Sequence, residues 1–158
     1  MASVGAMVDS DVLGDIAAQL AARQTAWEVR TGEVPTERCY ERLLLTATHE
    51  AWVICWPAGT ELELHDHGTS SGAFSVVAGD LDETTVVDGA TVVRRLEKGS
   101  TASFGPAYVH AVANRGQRPA TSVHVYSPPL EFMDFYDQAD DGALLVTRHD
   151  PGEWNATE

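Results

Sequence analysis

From about Tyr40 onward the chain breaks into short runs rich in β-branched and aromatic residues, each closed by a turn signal. Runs of this kind cover residues 42–46, 52–56, 61–67, 73–77, 80–87, 91–96, 100–104, 111–114 and 121–126. Pro57-Ala58-Gly59, Asp88-Gly89, Lys98-Gly99, Gly105-Pro106 and Asn114-Arg115-Gly116 separate them, and each is a turn sequence with a known backbone reason. Asp88-Gly89 between two valine- and threonine-rich runs is a two-residue hairpin. Many short strands at close spacing predict an all-β sandwich or small barrel, and a jelly roll fits best.

Ahead of the strands, residues 11–28 place Val12, Leu13, Ile16, Ala17 and Leu20 at helical spacing, with Asp9 or Ser10 as N-cap. The expectation is one amphipathic helix over about 9–30, packed outside a β-barrel over about 40–149, in a single domain spanning 1–158. After Pro128-Pro129, residues 131–141 read as a short helix or loop, 143–147 as an edge strand, and 152–158 as a frayed end. A chain of 158 residues can bury about two-thirds of its unfolded surface around one core.

Charge narrows the partners. The 24 acidic against 10 basic residues give a net charge of -14, which repels nucleic acid and anionic membrane surfaces. No stretch approaches the ~18 apolar residues of a membrane helix, and the opening residues lack a basic region before an apolar run. A cytoplasmic monomer is expected. Cys39 and Cys55 are too few and too far apart for a CxxC motif or a disulfide framework, so both read as free thiols, with Cys55 buried in its apolar run.

The chemistry concentrates in Leu64-His65-Asp66-His67-Gly68. Side chains at i and i+2 of a strand share a face, so His65 and His67 can hold one metal ion between them. A pair underligates a lone ion; His110, between the Gly105-Pro106 turn and Ala111-Val112-Ala113, can supply a third imidazole from a neighbouring strand. A histidine in a strand can equally be a surface or hydrogen-bonded core residue, and His49 and His149 have no such setting. What favours a site is the small-residue stretch Gly68-Thr69-Ser70-Ser71-Gly72, which lets a ligand approach. Imidazole serves iron, zinc, copper and nickel alike. Glu61 and Glu63 share strand parity with the histidines, so Glu63 either approaches the ion or lies on the rim. Downstream, Ser122, His124 and Tyr126 alternate with Val123 and Val125, so three polar groups can face one interior as a hydrogen-bonded chain.

Four blocks together carry a resemblance: Cys55-Trp56-Pro57-Ala58-Gly59, His65 to Gly72, Gly79-Asp80-Leu81-Asp82-Glu83-Thr84, and Ser122-Val123-His124-Val125-Tyr126-Ser127-Pro128-Pro129-Leu130. The chain resembles the cysteine dioxygenase type I family, whose fold is the cupin double-stranded β-helix. The resemblance implies Fe(II) held by His65, His67 and His110, with Tyr126 beside it and Ser122 and His124 orienting the phenol. It further implies that Arg42 binds the substrate carboxylate, with Tyr40 in the family's Tyr-x-Arg arrangement. The implied reaction joins L-cysteine and O2 to give cysteine sulfinic acid. Two alternatives stay open: a sister dioxygenase of 3-mercaptopropionate or another small thiol, from which Arg42 would separate it, and a non-catalytic metal- or ligand-binding cupin. Animal members carry a cysteine, thioether-linked to the tyrosine, where this chain has Gly72; the resemblance is to bacterial members, with Tyr126 unmodified.

Overall fold

The structure is a computed structural model that describes residues 7–23 and 37–152. One five-stranded sheet runs in the order β1 (Cys39–Leu45), β2 (Glu50–Trp56), β9 (Ala120–Ser127), β4 (Ser71–Ala78), β7 (Thr101–Phe104). A six-stranded sheet runs β11 (Leu144–Asp150), β10 (Met133–Gln138), β3 (Glu61–His65), β8 (His110–Ala113), β5 (Asp80–Val87), β6 (Ala90–Glu97). All pairings are antiparallel. This is the expected two-sheet β architecture, and the Asp88-Gly89 hairpin stands where its sequence places it, with both residues at positive φ.

The helix α1 (Ser10–Ala22) lies on the outside of the five-stranded sheet. Leu13 and Ala17 are fully buried there against Ala51, Ala73 and Val125. Its start agrees with expectation: Asp9 is the N-cap residue, although its side chain makes no capping bond. The helix ends at Ala22, and the expected continuation beyond residue 23 lies outside the described residues, as does the end of the chain from residue 153. The other face of the same sheet forms the main core, where Trp52, Ile54, Trp56, Phe74, Val76 and Tyr126 meet Leu81, Leu96 and Val112 of the second sheet. With both faces covered, β2 and β9 are buried along their whole length.

Residues 131–141 depart from the reading as helix or loop. They contain β10, which sits between β3 and β11 and places Phe135 opposite His65. The acidic composition had masked a strand whose Phe135 turns into the core while Asp137 stays exposed.

Leu13 is the anchor of α1, with no exposed surface. Replacing it by Ala is expected to cost about 2–5 kcal/mol, read as a lower denaturant midpoint with an unchanged slope.

Candidate metal centre

The site begins with an irregularity in β3. Leu62 stands opposite Val112 and His65 opposite His110, so three steps on β3 match two on β8. The extra residue is a β-bulge, which re-aims the side chains beyond it. Leu62 packs on the core while Glu63 is exposed, so strand parity does not carry across the bulge and the Glu63 carboxylate lies on the rim. Only its carbonyl serves the site, accepting from His65 Nδ1 at 2.6 Å.

His67 lies past the last residue of β3, so the simple i, i+2 argument is not what aims it. A turn does: Ser70 N donates to His67 O at 3.0 Å, and Gly68 takes φ 59°, a conformation glycine adopts without strain. Asp66, between the two histidines, points away and ties this turn down. Its carboxylate accepts from Gly68 N at 3.0 Å, Asp134 N at 3.1 Å and the Tyr136 hydroxyl at 2.6 Å.

His65, His67 and His110 are all buried, and their ligating nitrogens lie within 4.8 Å of one another. Because a carbonyl can only accept, His65 carries its proton on Nδ1 and offers the Nε2 lone pair. His110 is set in the same way: its Nδ1 lies 2.8 Å from Glu83 Oε2. Burial pushes the Glu83 carboxyl up, but His110 and Arg94 outweigh it and hold it below the usual carboxylate range, so it accepts. Burial, reinforced by the neighbouring histidines, pushes His65 and His67 well below the ordinary imidazole range. Both are therefore neutral, the form that ligates metal.

The residues fit an ion. His65 Nε2 and His67 Nε2 are 3.2 Å apart, while nitrogens about 2.0–2.1 Å from a shared ion and at right angles stand about 3 Å apart. His67 Nδ1 is buried with no hydrogen-bond partner, so this ring turns its one polar contact toward its fellow histidine. Glu83, in the Gly79–Thr84 block, is the carboxylate that sequence reasoning misses. Its signal was its parity with Leu81: both point into the core. His49 and His149 sit elsewhere, the first in a threonine turn and the second on Asp134.

Beside the histidines runs a chain of hydrogen bonds on β2 and β9. Trp56 Nε1 donates to Ser122 Oγ at 2.8 Å, Ser122 Oγ lies 2.7 Å from His124 Nε2, and His124 Nδ1 lies 3.3 Å from the Tyr126 hydroxyl. An indole can only donate, which orders the rest. Ser122 receives from Trp56 and gives its proton to His124 Nε2; His124 then carries its hydrogen on Nδ1 and offers it to Tyr126. Burial pushes His124 down to about 3, so it stays neutral, and burial with the nearby Glu50 raises Tyr126 above the usual phenol range. The phenol keeps its proton, turned away from His124. Its ring stacks on His67 with centroids 5.3 Å apart.

A cavity of about 150 Å³ opens over Tyr126, lined by Tyr40, Trp52, Leu62, Met133, Phe135 and two arginines, Arg38 and Arg148. Arg42, expected at the substrate carboxylate, does not line it. Its guanidinium lies over the Trp52 ring at 4.9 Å, with Nε 3.3 Å from the buried Glu50, beside a separate depression under Pro128 and Pro129. Arg38, four residues earlier, reaches inward over Trp56 at 5.5 Å. Burial pushes its guanidinium down from its ordinary value, while the nearby Tyr40, Tyr126 and Cys39 pull it back up.

The sequence matches the profile of "Cysteine dioxygenase type I" over residues 4–139. The chain belongs to this family. Among proteins of curated function, none matches it in sequence. Solved structures share its fold. A conserved protein of Klebsiella pneumoniae with a double-stranded β-helix domain is 21% identical at TM-score 0.53, covering 73% of this chain and 89% of that one. KdgF from a Halomonas species is 18% identical at TM-score 0.51, covering 61% and 83%. At these identities the likeness speaks for the cupin fold alone. The family supports a dioxygenase-type enzyme, and the three buried histidines support a metal.

This cysteine dioxygenase family member has no room for the cross-link of the animal enzymes. Gly72 is the register partner of both Phe104 and Tyr126. A Cβ on Gly72 would stand 2.4 Å from Phe104 Cζ, so that ring occupies the space of a residue-72 side chain. Phe104 in turn stacks on His67 at 4.6 Å, and Gly72 serves the metal centre through packing.

Two outcomes are expected. Glu83→Gln leaves His110 without its anionic acceptor and is expected to weaken metal binding by about 10- to 100-fold, measured by competition with a chelator. Unfolded histidines take up protons below about pH 6.5, whereas folded His65, His67 and His124 do not. Stability of the metal-free protein is therefore complete above pH 6.5 and falls on acidification. For His124, held at about 3, the loss by pH 5 is about 2 kcal/mol, and His65 and His67 add to it in the same direction; denaturant melts at pH 7 and pH 5 follow it.

Proposed function

We propose that this protein is an iron-dependent thiol dioxygenase that converts L-cysteine and O2 to cysteine sulfinic acid. The observation that carries the reading is the directed chain from Trp56 to the Tyr126 hydroxyl, delivered beside a buried three-histidine group and into the same cavity as Arg38. A passive binding domain has no use for a phenol whose proton is oriented by three other side chains.

His65, His67 and His110 would hold Fe(II), which would supply the chemistry that joins both atoms of O2 to a thiolate sulfur. The protein's share is position and charge. Three neutral ligands leave the full ionic charge to draw a thiolate. Tyr126 donates its hydrogen bond to a reactant oxygen, and His124, neutral and fixed by Ser122, keeps the phenol from turning. Phe135, Met133, Leu62 and Trp52 line the cavity with apolar surface that strengthens these contacts.

For the carboxylate we assign Arg38 in place of Arg42. Arg42 already faces the Glu50 carboxylate, whereas Arg38 carries its charge over Trp56 into the cavity, where a bidentate partner would offset its desolvation. Tyr40 borders the same opening.

Oxygen uptake by Fe(II)-loaded protein with cysteine, 3-mercaptopropionate and cysteamine tests the whole reading; cysteine is expected to give the highest kcat/KM, because it alone offers thiol, amine and carboxylate together. Preference for 3-mercaptopropionate would move the enzyme to the sister activity, and no uptake with any thiol would leave a binding domain. Tyr126→Phe is expected to keep its iron and lose on the order of a hundredfold in turnover. Arg38→Gln is expected to lose roughly ten- to a hundredfold in kcat/KM for cysteine, mostly through KM, while cysteamine is unaffected. The larger loss appearing in Arg42→Gln would return the carboxylate to that residue.

A further inference from the structure

Cys39 and Cys55 are far apart in sequence but direct neighbours in space: in the β1–β2 ladder Cys39 stands opposite Cys55. Opposed residues of an antiparallel pair have Cα atoms about 4.5 or 5.5 Å apart, inside the 4.4–6.8 Å range of disulfides. Both side chains therefore leave the same face of the ladder side by side. Their exposures differ sharply, Cys39 being exposed and Cys55 buried. An accessible thiol with a shielded thiol beside it is the arrangement of an attacking and a resolving cysteine.

We propose that Cys39 and Cys55 form a thiol–disulfide exchange site that takes low-molecular-weight disulfides as oxidant and closes to an intramolecular disulfide. Cys39, as thiolate, attacks one sulfur of R–S–S–R; the Cys39–S–S–R bond forms and the first RS⁻ leaves. Cys55 then gives up its proton and attacks the Cys39 sulfur, forming the Cys39–Cys55 bond and expelling the second RS⁻. Two protein thiols are oxidised by two electrons and one small disulfide is reduced to two thiols, the two protons ending on the released sulfurs.

Burial and the neighbouring Cys39 push the Cys55 thiol up to about 12. Cys55 is thereby inert to small disulfides in solution and reacts only with a sulfur delivered next to it. Its high proton affinity also gives the reduced pair no thiolate stabilisation, the factor that makes some protein disulfides strong oxidants. The bond would lie between Arg38 and Tyr40, both lining the cavity, and would pin the start of β1, which among the described residues pairs with β2 alone. The exchange site is independent of which thiol the enzyme oxidises.

The test incubates iron-loaded protein anaerobically with excess glutathione disulfide, quenches with an alkylating maleimide under denaturing conditions, and reads intact mass and peptide maps. The wild type is expected to lose two hydrogens, take up no maleimide and yield a cross-linked peptide pair holding Cys39 and Cys55. Cys55→Ala is expected to stop at one glutathione adduct on Cys39, and Cys39→Ala to keep an unmodified Cys55 that alkylates once denatured. Wild-type protein that ends with the same stable Cys39 adduct as Cys55→Ala, or with both thiols alkylated, would overturn the proposal; so would an adduct on Cys55.

Discussion

Strand β9 is covered from both sides, and the site depends on that. Outward, Val123 and Val125 are fully buried, Val125 against the Leu13 and Ala17 face of α1; inward, Ser122, His124 and Tyr126 project between β2 and β4 into the barrel. A polar group buried without a partner costs about 1–3 kcal/mol, so three in a row are tolerable only if each satisfies the next. Trp56 provides the first donor, and giving the buried Ser122 hydroxyl hydrogen a partner in turn points it at His124, which sets the sense of the next bond. The phenol at the far end is therefore set by the fold before any substrate arrives.

The same economy of charge governs the metal centre. The chain carries a net charge of -14, yet burial keeps His65 and His67 neutral, and the carboxylate of Glu83 is set back behind His110. Negative charge is kept one bond removed from the ion, while the positive groups Arg38 and Arg148 border the cavity. Asp150 lines the same cavity, so the two arginines leave it a small positive excess inside an acidic protein. No helix among the described residues is long and apolar enough to cross a membrane.

Much of this was legible in the sequence because it rests on local rules. Turn residues mark where strands stop, so most expected runs fall within a residue or two of the observed elements, and alternation on β9 is enough to group Ser122, His124 and Tyr126. What was not legible depends on neighbours. Arg38, Tyr40 and Arg42 share one parity, and only Glu50 on β2, which faces Arg42, decides which arginine is left for the cavity. β10 hides among acidic residues because its apolar Phe135 is explained by its partner, His65. The Cys39–Cys55 pairing is likewise a property of register, invisible until β1 and β2 are aligned.

The bulge in β3 carries a wider consequence. Leu62 and His65 both face inward across three residue steps, an odd count that regular alternation forbids. Straightening the bulge into a regular ladder with all its residues kept would turn the histidine outward. The protein's capacity for a metal is written in how many residues separate two positions as much as in what those residues are. Changes that straighten this short stretch are the ones that would let the same barrel persist in evolution with its chemistry switched off.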